Sequence, residues 1–565
     1  METGAELTAS SVFWWADQSA GWIYLLPPLE TRHVLCIDPL PEISWLMHHG
    51  CAQITVAYTS ESRADEAGRR QTSERDRIDW IPFDDLVAGM VAHRTRFDGL
   101  VIHDPQARIV HSASKSAVSR LAAALPALLT DDAFVYLGLK RRLSLFGSSR
   151  DRRAPRGSHP LWSPRRVIEE ISAQGFNNLH QTPYLLDGSR VLDILVPAYR
   201  ATTNGHLWRE RLKERLLGPT SSCWLTPAIG YVVTRDGAPP SVLEEIRALV
   251  GRISGSGPEK LSIDQFRLAR GDKAILCFRP PEPDSEAVVA VVTEDPAVFR
   301  GRRIELDILE RLSRLPEHIA SRVPRHLGEH RIGRYTCFMM SAFDGVTLDA
   351  DSDHLAPLTR QAMDFLTGLQ VETAMPTTLD DAALDLHVSS IFEDAIGRNP
   401  SVSAELRALG EQVRQQLAGR TLPTVLTHGD FKIENVMYSS DDGLMTGVID
   451  WEHATIAALP LIDPLYLLFY NRTLRGTPWL DALDAMLDES SLATDERALL
   501  TRHMDILGVP ATDYAALTAL FFAHHIGRRI TLDPDTAAER RLSHMVACHA
   551  SRLAGRQDSM TQKVS

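Results

Sequence analysis

Two short apolar runs with polar residues at their outer ends constrain the fold of this chain more than any other stretch. Val436–Tyr438 and Thr446–Ile449 have the length of short strands, and the turn-forming residues Ser-Ser-Asp-Asp-Gly follow the first of them. This pattern predicts a β-hairpin. Because a hairpin brings its outer ends together, we expect Asp430, Asn435 and Asp450 to converge at one place.

The side chains expected at this place suit metal-assisted chemistry. Two carboxylates and an amide oxygen are ligands that Mg²⁺ accepts, and the ion keeps several of its own waters. With a base among them, these groups suit phosphoryl transfer, in which catalysis is mostly positioning and charge stabilisation. The alternative is that Asp430 and Asp450 only cap turns.

Length and composition limit the class of protein. The chain has 565 residues, which is enough for two or three domains. Its content of 44% hydrophobic and 24% charged residues is that of a soluble globular protein. The formal net charge of -13 argues against a nucleic-acid partner, because nucleic-acid binders normally present a basic face.

Cysteines and apolar segments give the expected compartment. The six cysteines show no CxxC spacing, and we interpret them as reduced thiols. No apolar run reaches the ~20 residues that a membrane span requires, and the N-terminus lacks a basic region followed by an apolar one. The sequence therefore predicts a cytoplasmic protein with no membrane partner, and it leaves the oligomeric state open.

The first part of the chain alternates between apolar strands and helical stretches. Strands are predicted at Val34–Ile37, Ile54–Tyr58, Phe97–Ile102, Ala133–Leu137 and Val191–Leu195, near His180, and as a further pair in Trp224–Thr234. Helices are predicted at Lys115–Leu129, Pro164–Gln174 and His206–Leu217, with an insertion loop at Ser144–Pro160. This alternation predicts a parallel sheet covered on both faces. We place a domain boundary near residue 237, before a helix predicted at Ser241–Ile253.

The order of these elements resembles a class I S-adenosylmethionine-dependent methyltransferase domain, an α/β Rossmann-like fold. The resemblance covers about Arg32–Tyr199 and implies a domain over residues 1–237. Val34–Ile37 matches its first strand, FDGLVIHDP (97–105) its fourth and TDDAFVYLGL (130–139) its fifth. That family has a glycine-rich turn after the first strand, whereas Asp38–Glu42 holds two prolines and no glycine. We therefore expect a degenerate domain without S-adenosylmethionine; retained methyl transfer is the alternative.

Strand signals return after the boundary and then give way to helices. Strands are predicted at Gln265–Ala269, Ala274–Phe278, Ala287–Val292 and Tyr335–Met340, with a turn at Arg270–Asp272. The helix predicted at Arg302–Leu312 has an apolar face formed by Ile304, Ile308, Leu309 and Leu312. From His354 on, apart from the hairpin, the pattern is mostly helical. A small sheet with one helix, followed by a helical lobe, is a two-lobed nucleotide-binding layout.

This second part resembles the aminoglycoside phosphotransferase and choline kinase family, whose fold is a two-lobed α+β relative of protein kinases. HGDFKIEN (428–435) matches the H-G-D-x4-N catalytic loop and IDWE (449–452) the metal-binding motif. RRIELDILERL (302–312) resembles the helix with the ion-pair glutamate, and FMMSAFDGVTL (338–348) the hinge that cradles adenine. The resemblance implies a kinase-like domain over residues 238–555, followed by a flexible tail at 556–565.

The resemblance also implies roles around the hairpin. Asp430 is the expected base for an attacking hydroxyl, and Asn435 and Asp450 are the expected Mg²⁺ ligands. Lys432 matches a lysine with which protein kinases neutralise the transferred phosphate. His428 is expected to orient the loop by hydrogen bonding, with proton chemistry as the alternative.

On the nucleotide side, the resemblance implies ATP as cofactor, with Glu305 and the hinge residues Met340, Ser341 and Phe343 as binding residues. The third strand of the small sheet normally carries a lysine that pairs with this glutamate. Ala287–Val292 contains no lysine, so Glu305 has no evident partner. The candidates to replace it are Arg300, Arg302, Arg303 and Lys273.

The leading hypothesis is an ATP- and Mg²⁺-dependent phosphotransferase that acts on a hydroxyl of a small metabolite. Asp463 follows Asp450 so closely that little room remains for a peptide-docking segment, and Asp463 itself is predicted to cap a helix and brace the site. Arg528 is a candidate anion-attracting residue or a packing residue. The alternatives are an inactive binding or scaffold protein and a bifunctional methyltransferase–kinase.

Overall fold

A computed structural model of the protein describes most of the chain in two compact units. The first unit comprises Met1–Phe299 with Leu327–Ala342, and the second comprises Arg300–His326 with Phe343–Ser565. The described residues are 21–37, 43, 46–58, 77–88, 96–104, 115–140, 169, 171–176, 178–187, 190–193, 228–269, 273–282, 285–348, 353–529, 540–551 and 553.

The first unit contains an eight-stranded sheet of order β3-β2-β1-β4-β5-β8-β6-β7. Its strands are β1 His33–Ile37, β2 Gln53–Tyr58, β3 Ile78–Pro82, β4 Phe97–Asp104, β5 Leu129–Lys140, β6 Asn178–Asp187, β7 Arg190–Asp193 and β8 Ala228–Thr234. The strands from β3 to β5 are parallel, which confirms the arrangement predicted from the strand–helix alternation. The last three are antiparallel to their neighbours, and β8 is an interior strand between β5 and β6.

The central strands are apolar on both faces because helices cover parallel sheets on both sides. In β1, the consecutive residues Val34, Leu35 and Cys36 are all 0% exposed. Two helices of this part are α1 Phe83–Ala88 and α2 Lys115–Leu128, the second of which was predicted within one residue.

The first unit also contains a five-stranded sheet of order β12-β13-β11-β10-β9. Its strands are β9 Ser262–Ala269, β10 Lys273–Arg279, β11 Val288–Thr293, β12 His326–Ile332 and β13 Tyr335–Ser341, and helix α3 Val242–Ser254 precedes them. Helix α3 begins where predicted because Ser241 and Glu244 form a capping box.

One of the two hydrophobic core clusters that the described residues of the first unit form includes residues from both of its sheets. Val34 and Cys36 of β1, Ile246 of α3, Leu276 of β10 and Ala290 of β11 all belong to it. The domain boundary near residue 237 stays a prediction, since this core includes residues from both sides of it.

The second unit is mostly helical. Helix α4, Pro296–Leu312, enters it at Arg300, and the helices that follow are α5 Glu317–Ala320, α6 Leu355–Thr373, α7 Asp381–Leu384, α8 Ser390–Arg398, α9 Ser403–Leu417, α10 Ile462–Leu474, α11 Trp479–Leu487, α12 Thr494–Leu507 and α13 Tyr514–Arg529. Within the helices of the described ranges, no single one is long and apolar enough to cross a membrane; Thr494–Leu507 and Ala511–Arg528 pass that test only as a pair bent by 119°.

Two three-stranded sheets position the loops of the second unit. The first has the order β14-β17-β18, with β14 Val346–Thr347, β17 Val436–Tyr438 and β18 Met445–Val448, and it contains the predicted hairpin. The second has the order β15-β16-β19, with β15 Met375–Thr378, β16 Thr421–Thr427 and β19 Thr455–Ala458. The sequence did not predict this second sheet.

Some predicted features lie outside the described residues. These are the loop Asp38–Glu42, the insertion loop Ser144–Pro160, the helix His206–Leu217, the turn Arg270–Asp272 and the tail 556–565, together with most of the helix Pro164–Gln174.

Candidate active site

The loop His428–Asn435 is anchored by a buried carboxylate. Strand β16 ends at Thr427, and the next two backbone N–H groups, those of His428 and Gly429, donate to Asp463 Oδ2 and Oδ1 at 2.6 and 2.8 Å. Asp463 is 0% exposed and is the second residue of α10. Burial raises the pKa of this carboxyl group, and His428 and the two N–H donors act against that rise. Asp463 therefore braces the loop, as predicted. The prediction that it caps the helix is wrong, because the N-cap of α10 is Leu461 and no side chain of the described residues caps this end.

His428 ties the loop to the end of the hairpin. Its Nε2 donates to the carbonyl of Ile449 at 3.0 Å, and its Nδ1 accepts from the backbone N–H of Asp430 at 3.3 Å. The imidazole is fully buried, with its ring centroid 4.6 Å from that of Trp451. Since both ring nitrogens are engaged with the backbone of the site, this geometry favours the orienting role over proton chemistry.

The hairpin brings the three predicted polar residues to one place. Asn435 Nδ2 donates to the carbonyl of Asp430 at 2.9 Å. The backbone N–H of Ile449 donates to the carbonyl of Asn435 at 2.9 Å, which fixes the start of the Asp450 segment beside the loop. Asp450 has φ 72 and ψ 53, a left-handed conformation that is rare outside glycine and concentrates at functional sites.

The residues present fit a magnesium ion. Because Asn435 Nδ2 donates to the Asp430 carbonyl, its amide oxygen is the atom with which it would hold a metal, and the Asp450 side chain is 36% exposed. Considering only the described residues, no group of three or more His, Cys, Asp and Glu side chains could hold a metal. Mg²⁺ does not require such a group, because it binds through one or two carboxylates together with substrate phosphates.

Lys432 lies beside the candidate base. Its Nζ is 3.6 Å from Asp430 Oδ2 and 3.9 Å from Glu434 Oε2, and it lies 5.7 Å from the centroid of the Tyr470 ring. Asp430 is only 3% exposed. A lysine ammonium therefore lies next to the carboxylate that is expected to meet the acceptor hydroxyl.

Glu305 pairs with an arginine of its own helix. The Arg302 guanidinium donates to Glu305 through Nη1, and its Nη2 lies 2.8 Å from Glu452 Oε2 and 3.6 Å from Asp450 Oδ1. Glu305 Oε1 also accepts from the backbone N–H of Trp451 at 3.0 Å. Among the four basic residues considered from sequence, the structure therefore places Arg302 beside Glu305.

The face of α4 differs from the predicted one. Ile304, which was assigned to the apolar face, is 50% exposed, whereas Ile308 and Leu309 are 2% and 1% exposed as expected. The buried stripe instead includes Arg302 and Glu305, at 4% and 1% exposure. The apolar residues alone placed the centre of this face wrongly because a buried charged pair, Arg302 and Glu305, belongs to it.

The predicted hinge residues are divided between the two units. Met340 and Ser341 end β13 in the first unit and are buried. Phe343 belongs to the second unit, where its ring covers Gly447 of β18 so closely that a Cβ on this glycine would lie 2.4 Å from Phe343 Cε2.

Arg528 of α13 contacts the loop His428–Asn435. Its Nη1 donates to the carbonyl of Gly429 at 3.3 Å, and its Nη2 lies 2.8 Å from His453 Nδ1. The guanidinium thus links α13 to both the loop and the segment after Asp450. No sequence signal indicates these contacts, because Arg528 is far along the chain from both partners.

Gly429 provides a local test of this loop geometry. Its φ is +76, and a Cβ would lie 2.3 Å from the carbonyl oxygen of His453. We expect Gly429→Ala to lower the free energy of unfolding by about 2–5 kcal/mol, since a left-handed alanine costs about 1–2 and overpacking about 1–3. Denaturant unfolding of the variant measures this change.

Gly419→Ala is the matched control. Gly419 also has a positive φ, +70, but nothing lies within 4 Å of the position of its Cβ. It should therefore lose only the backbone contribution of about 1–2 kcal/mol. Equal losses for the two variants would contradict the close approach of His453 to the loop.

Comparisons with known proteins agree with the motifs. Residues 278–500 match the model of APH, the phosphotransferase enzyme family. A search of curated proteins found no match.

Solved structures similar to this chain include three phosphotransferases. A thermostable mutant of aminoglycoside phosphotransferase APH(4)-Ia with ADP and hygromycin B has 16% identity and a TM-score of 0.34, over 56% of this chain and 98% of that chain. Macrolide 2'-phosphotransferase MphH from Brachybacterium faecium has 17% identity and a TM-score of 0.32, over 54% of this chain and 98% of that chain. Aminoglycoside phosphotransferase APH(3'')-Id from Streptomyces rimosus, with ADP and streptomycin, has 16% identity and a TM-score of 0.31, over 50% of this chain and 98% of that chain.

Proposed function

We propose that the protein transfers the γ-phosphate of ATP, with Mg²⁺, to a hydroxyl of a small metabolite. The match of residues 278–500 to the phosphotransferase enzyme family supports this proposal. The observation that carries the proposal is the junction of the loop with the hairpin. There the Asn435 side chain donates a hydrogen bond to the carbonyl of Asp430. The carbonyl of Asn435 accepts a hydrogen bond from the backbone N–H of Ile449, the residue before Asp450.

Each residue of this junction has a proposed task. Asp430 accepts the proton of the acceptor hydroxyl as the hydroxyl oxygen attacks the γ-phosphorus of ATP, and the bond from that phosphorus to the β–γ bridging oxygen breaks to release ADP. Asn435 and Asp450 hold Mg²⁺, which supplies charge neutralisation to the nucleotide phosphates when bound. Lys432, 3.6 Å from Asp430, stabilises negative charge on the transferred phosphate.

The short chain between Asp450 and helix α10 favours a small acceptor over a peptide. Only a short turn, Trp451–His453, and β19 Thr455–Ala458 separate Asp450 from helix α10. This leaves no segment of the length that docks a peptide beside the base. The acceptor class therefore stays a hydroxylated small molecule.

The eight-stranded sheet has a separate proposal. Its order β3-β2-β1-β4-β5, all parallel, is that of a doubly wound nucleotide-binding sheet, which supports a Rossmann-like origin for residues 1–237. We propose that this part does not bind S-adenosylmethionine, because the proline-containing stretch Asp38–Glu42 follows β1 where a glycine-rich turn is needed. We also propose a cytoplasmic location for the protein.

A catalytically inactive binding or scaffold protein is the second candidate, favoured by the absence of a basic residue in β11, Val288–Thr293. Thermal unfolding tests whether the nucleotide site works. ATP with Mg²⁺ should raise the unfolding midpoint, because a ligand at a hundredfold excess over its Kd stabilises by about 2.7 kcal/mol. S-adenosylmethionine should leave it unchanged. No rise at millimolar ATP and Mg²⁺ would contradict the phosphotransferase proposal.

A further inference from the structure

We propose that Arg302 is the phosphate-binding cation of this site, so that the charge which the small-sheet strand lacks is provided by helix α4. This inference rests on the proposed function. It assigns a nucleotide contact to a residue three positions before Glu305 on the same helix.

The first support is the position of the guanidinium among acids. Arg302 contacts Glu305, Glu452 and Asp450, and its side chain is 4% exposed. Asp450 is the proposed metal ligand, with its Oδ1 3.6 Å from Arg302 Nη2. A phosphate that reaches the metal at Asp450 therefore arrives next to a buried positive charge.

The second support is the charge of the cluster. An arginine guanidinium stays protonated in proteins, and Glu305, Glu452 and Asp450 surround this one. Three carboxylates around one guanidinium leave a formal excess of negative charge, which suits the binding of a divalent cation.

The third support is an unused donor. Arg302 Nε is buried and has no hydrogen-bond partner among the described residues. A buried donor without a partner costs about 1–3 kcal/mol, so native structures retain one mainly where a ligand or water satisfies it. Arginine presents its donors in a rigid fork that matches phosphate oxygens.

The fourth support is that Glu305 is fully used in holding this arrangement. One of its oxygens accepts from Arg302 and the other from the backbone N–H of Trp451, the residue after Asp450. Glu305 therefore fixes both the guanidinium and the metal-binding segment. This is the arrangement expected if Arg302 must meet a ligand at Asp450.

The test compares nucleotides that differ only in their phosphates. ADP and adenosine are titrated, each with Mg²⁺, into the full-length wild type and Arg302→Gln by calorimetry. Loss of a charged hydrogen bond predicts ADP binding about tenfold to a hundredfold weaker in the variant. Adenosine binding should change less than about twofold, because adenosine has no phosphate. Arg302→Lys should recover part of the ADP affinity.

Two further variants separate binding from structure. Arg311→Gln removes an exposed arginine of the same helix and should bind ADP as the wild type does. The double variant Arg302→Gln/Glu305→Gln removes both members of the most buried ion pair, so Glu305 is not left as an unpaired buried carboxylate. If Arg302 acts on the phosphates, the double variant should bind ADP as weakly as Arg302→Gln does.

Three results would overturn the inference. These are unchanged ADP affinity in Arg302→Gln, an equal loss for ADP and adenosine, and full recovery of ADP affinity in the double variant. If the wild type itself binds neither ADP nor ATP and transfers no phosphate, the proposed function fails together with the inference. Normal ADP binding by both the wild type and Arg302→Gln removes only the inference.

Discussion

Asp430→Asn should lower the rate of phosphate transfer by about 10²- to 10⁴-fold, the usual contribution of a general base. The amide has nearly the shape of the carboxylate but cannot accept the proton of the acceptor hydroxyl. The backbone of Asp430, which accepts from Asn435 Nδ2, is unaltered by the substitution. ADP binding with Mg²⁺ should therefore stay close to that of the wild type. Transfer kinetics and calorimetry measure the two effects separately.

Asp441→Asn is the control for this variant. Asp441 is an exposed acid in the turn of the same hairpin, between β17 and β18. Its substitution makes the same chemical change in the hairpin that follows the loop of Asp430, and it should leave the rate of transfer unchanged. Equal rates for Asp430→Asn and the wild type would remove Asp430 as the base, and parallel loss of transfer and ADP binding would give it a structural role instead.

Asp463→Ala should have the largest effect on stability. Its carboxylate accepts from the N–H groups of His428 and Gly429 in a fully buried position. Each hydrogen bond to a charged acceptor contributes about 1.5–3 kcal/mol, so losing both should lower the free energy of unfolding by about 3–6 kcal/mol. Asp463→Asn keeps one acceptor oxygen and should fall between Asp463→Ala and the wild type. Denaturant titration followed by circular dichroism measures the series.

Asp495→Ala is a matched control for this series. Asp495 is the second residue of α12, as Asp463 is the second residue of α10, but its side chain is exposed. Because a favourable charge at a helix N-terminus contributes about 0.3–1 kcal/mol, Asp495→Ala should lower the free energy of unfolding by no more than that. A similarly small loss for Asp463→Ala would show that the loop does not depend on its buried anchor.

The hairpin was predictable because its signal is local. The strands Val436–Tyr438 and Met445–Val448 are separated by a turn with strongly biased composition, and a hairpin of any register brings its outer ends together. The same reasoning identified Asp430, Asn435 and Asp450 before their contacts were known. Their proximity follows from chain geometry alone.

The second small sheet was missed because its pairing is not local. Strands β15 and β16 are distant in sequence, and each contains a proline, Pro376 and Pro423, which argues against a strand. In the structure these two prolines are opposite each other in the antiparallel pair. The sequence could not show that the two segments meet.

The partner of Glu305 was unpredictable for a different reason. Arg300, Arg302 and Arg303 lie within one turn of α4, where a step of one residue rotates a side chain by about 100° around the axis. Arg302 is buried and Arg303 is exposed, although they are adjacent in sequence. Which of them meets Glu452 and Asp450 depends on how the helix packs, and the misplaced Ile304 shows that the apolar pattern did not determine this.

The most direct test of a phosphotransferase is the appearance of its product. Pools of hydroxylated metabolites are incubated with ATP, Mg²⁺ and either wild type or Asp430→Asn, and ³¹P NMR follows the phosphate groups. The wild type should form one new phosphomonoester for each ADP released, and Asp430→Asn should form it at least about a hundredfold more slowly. Formation of the same product at the same rate by both proteins, or ATP left unchanged by the wild type in every pool, would contradict the proposed function.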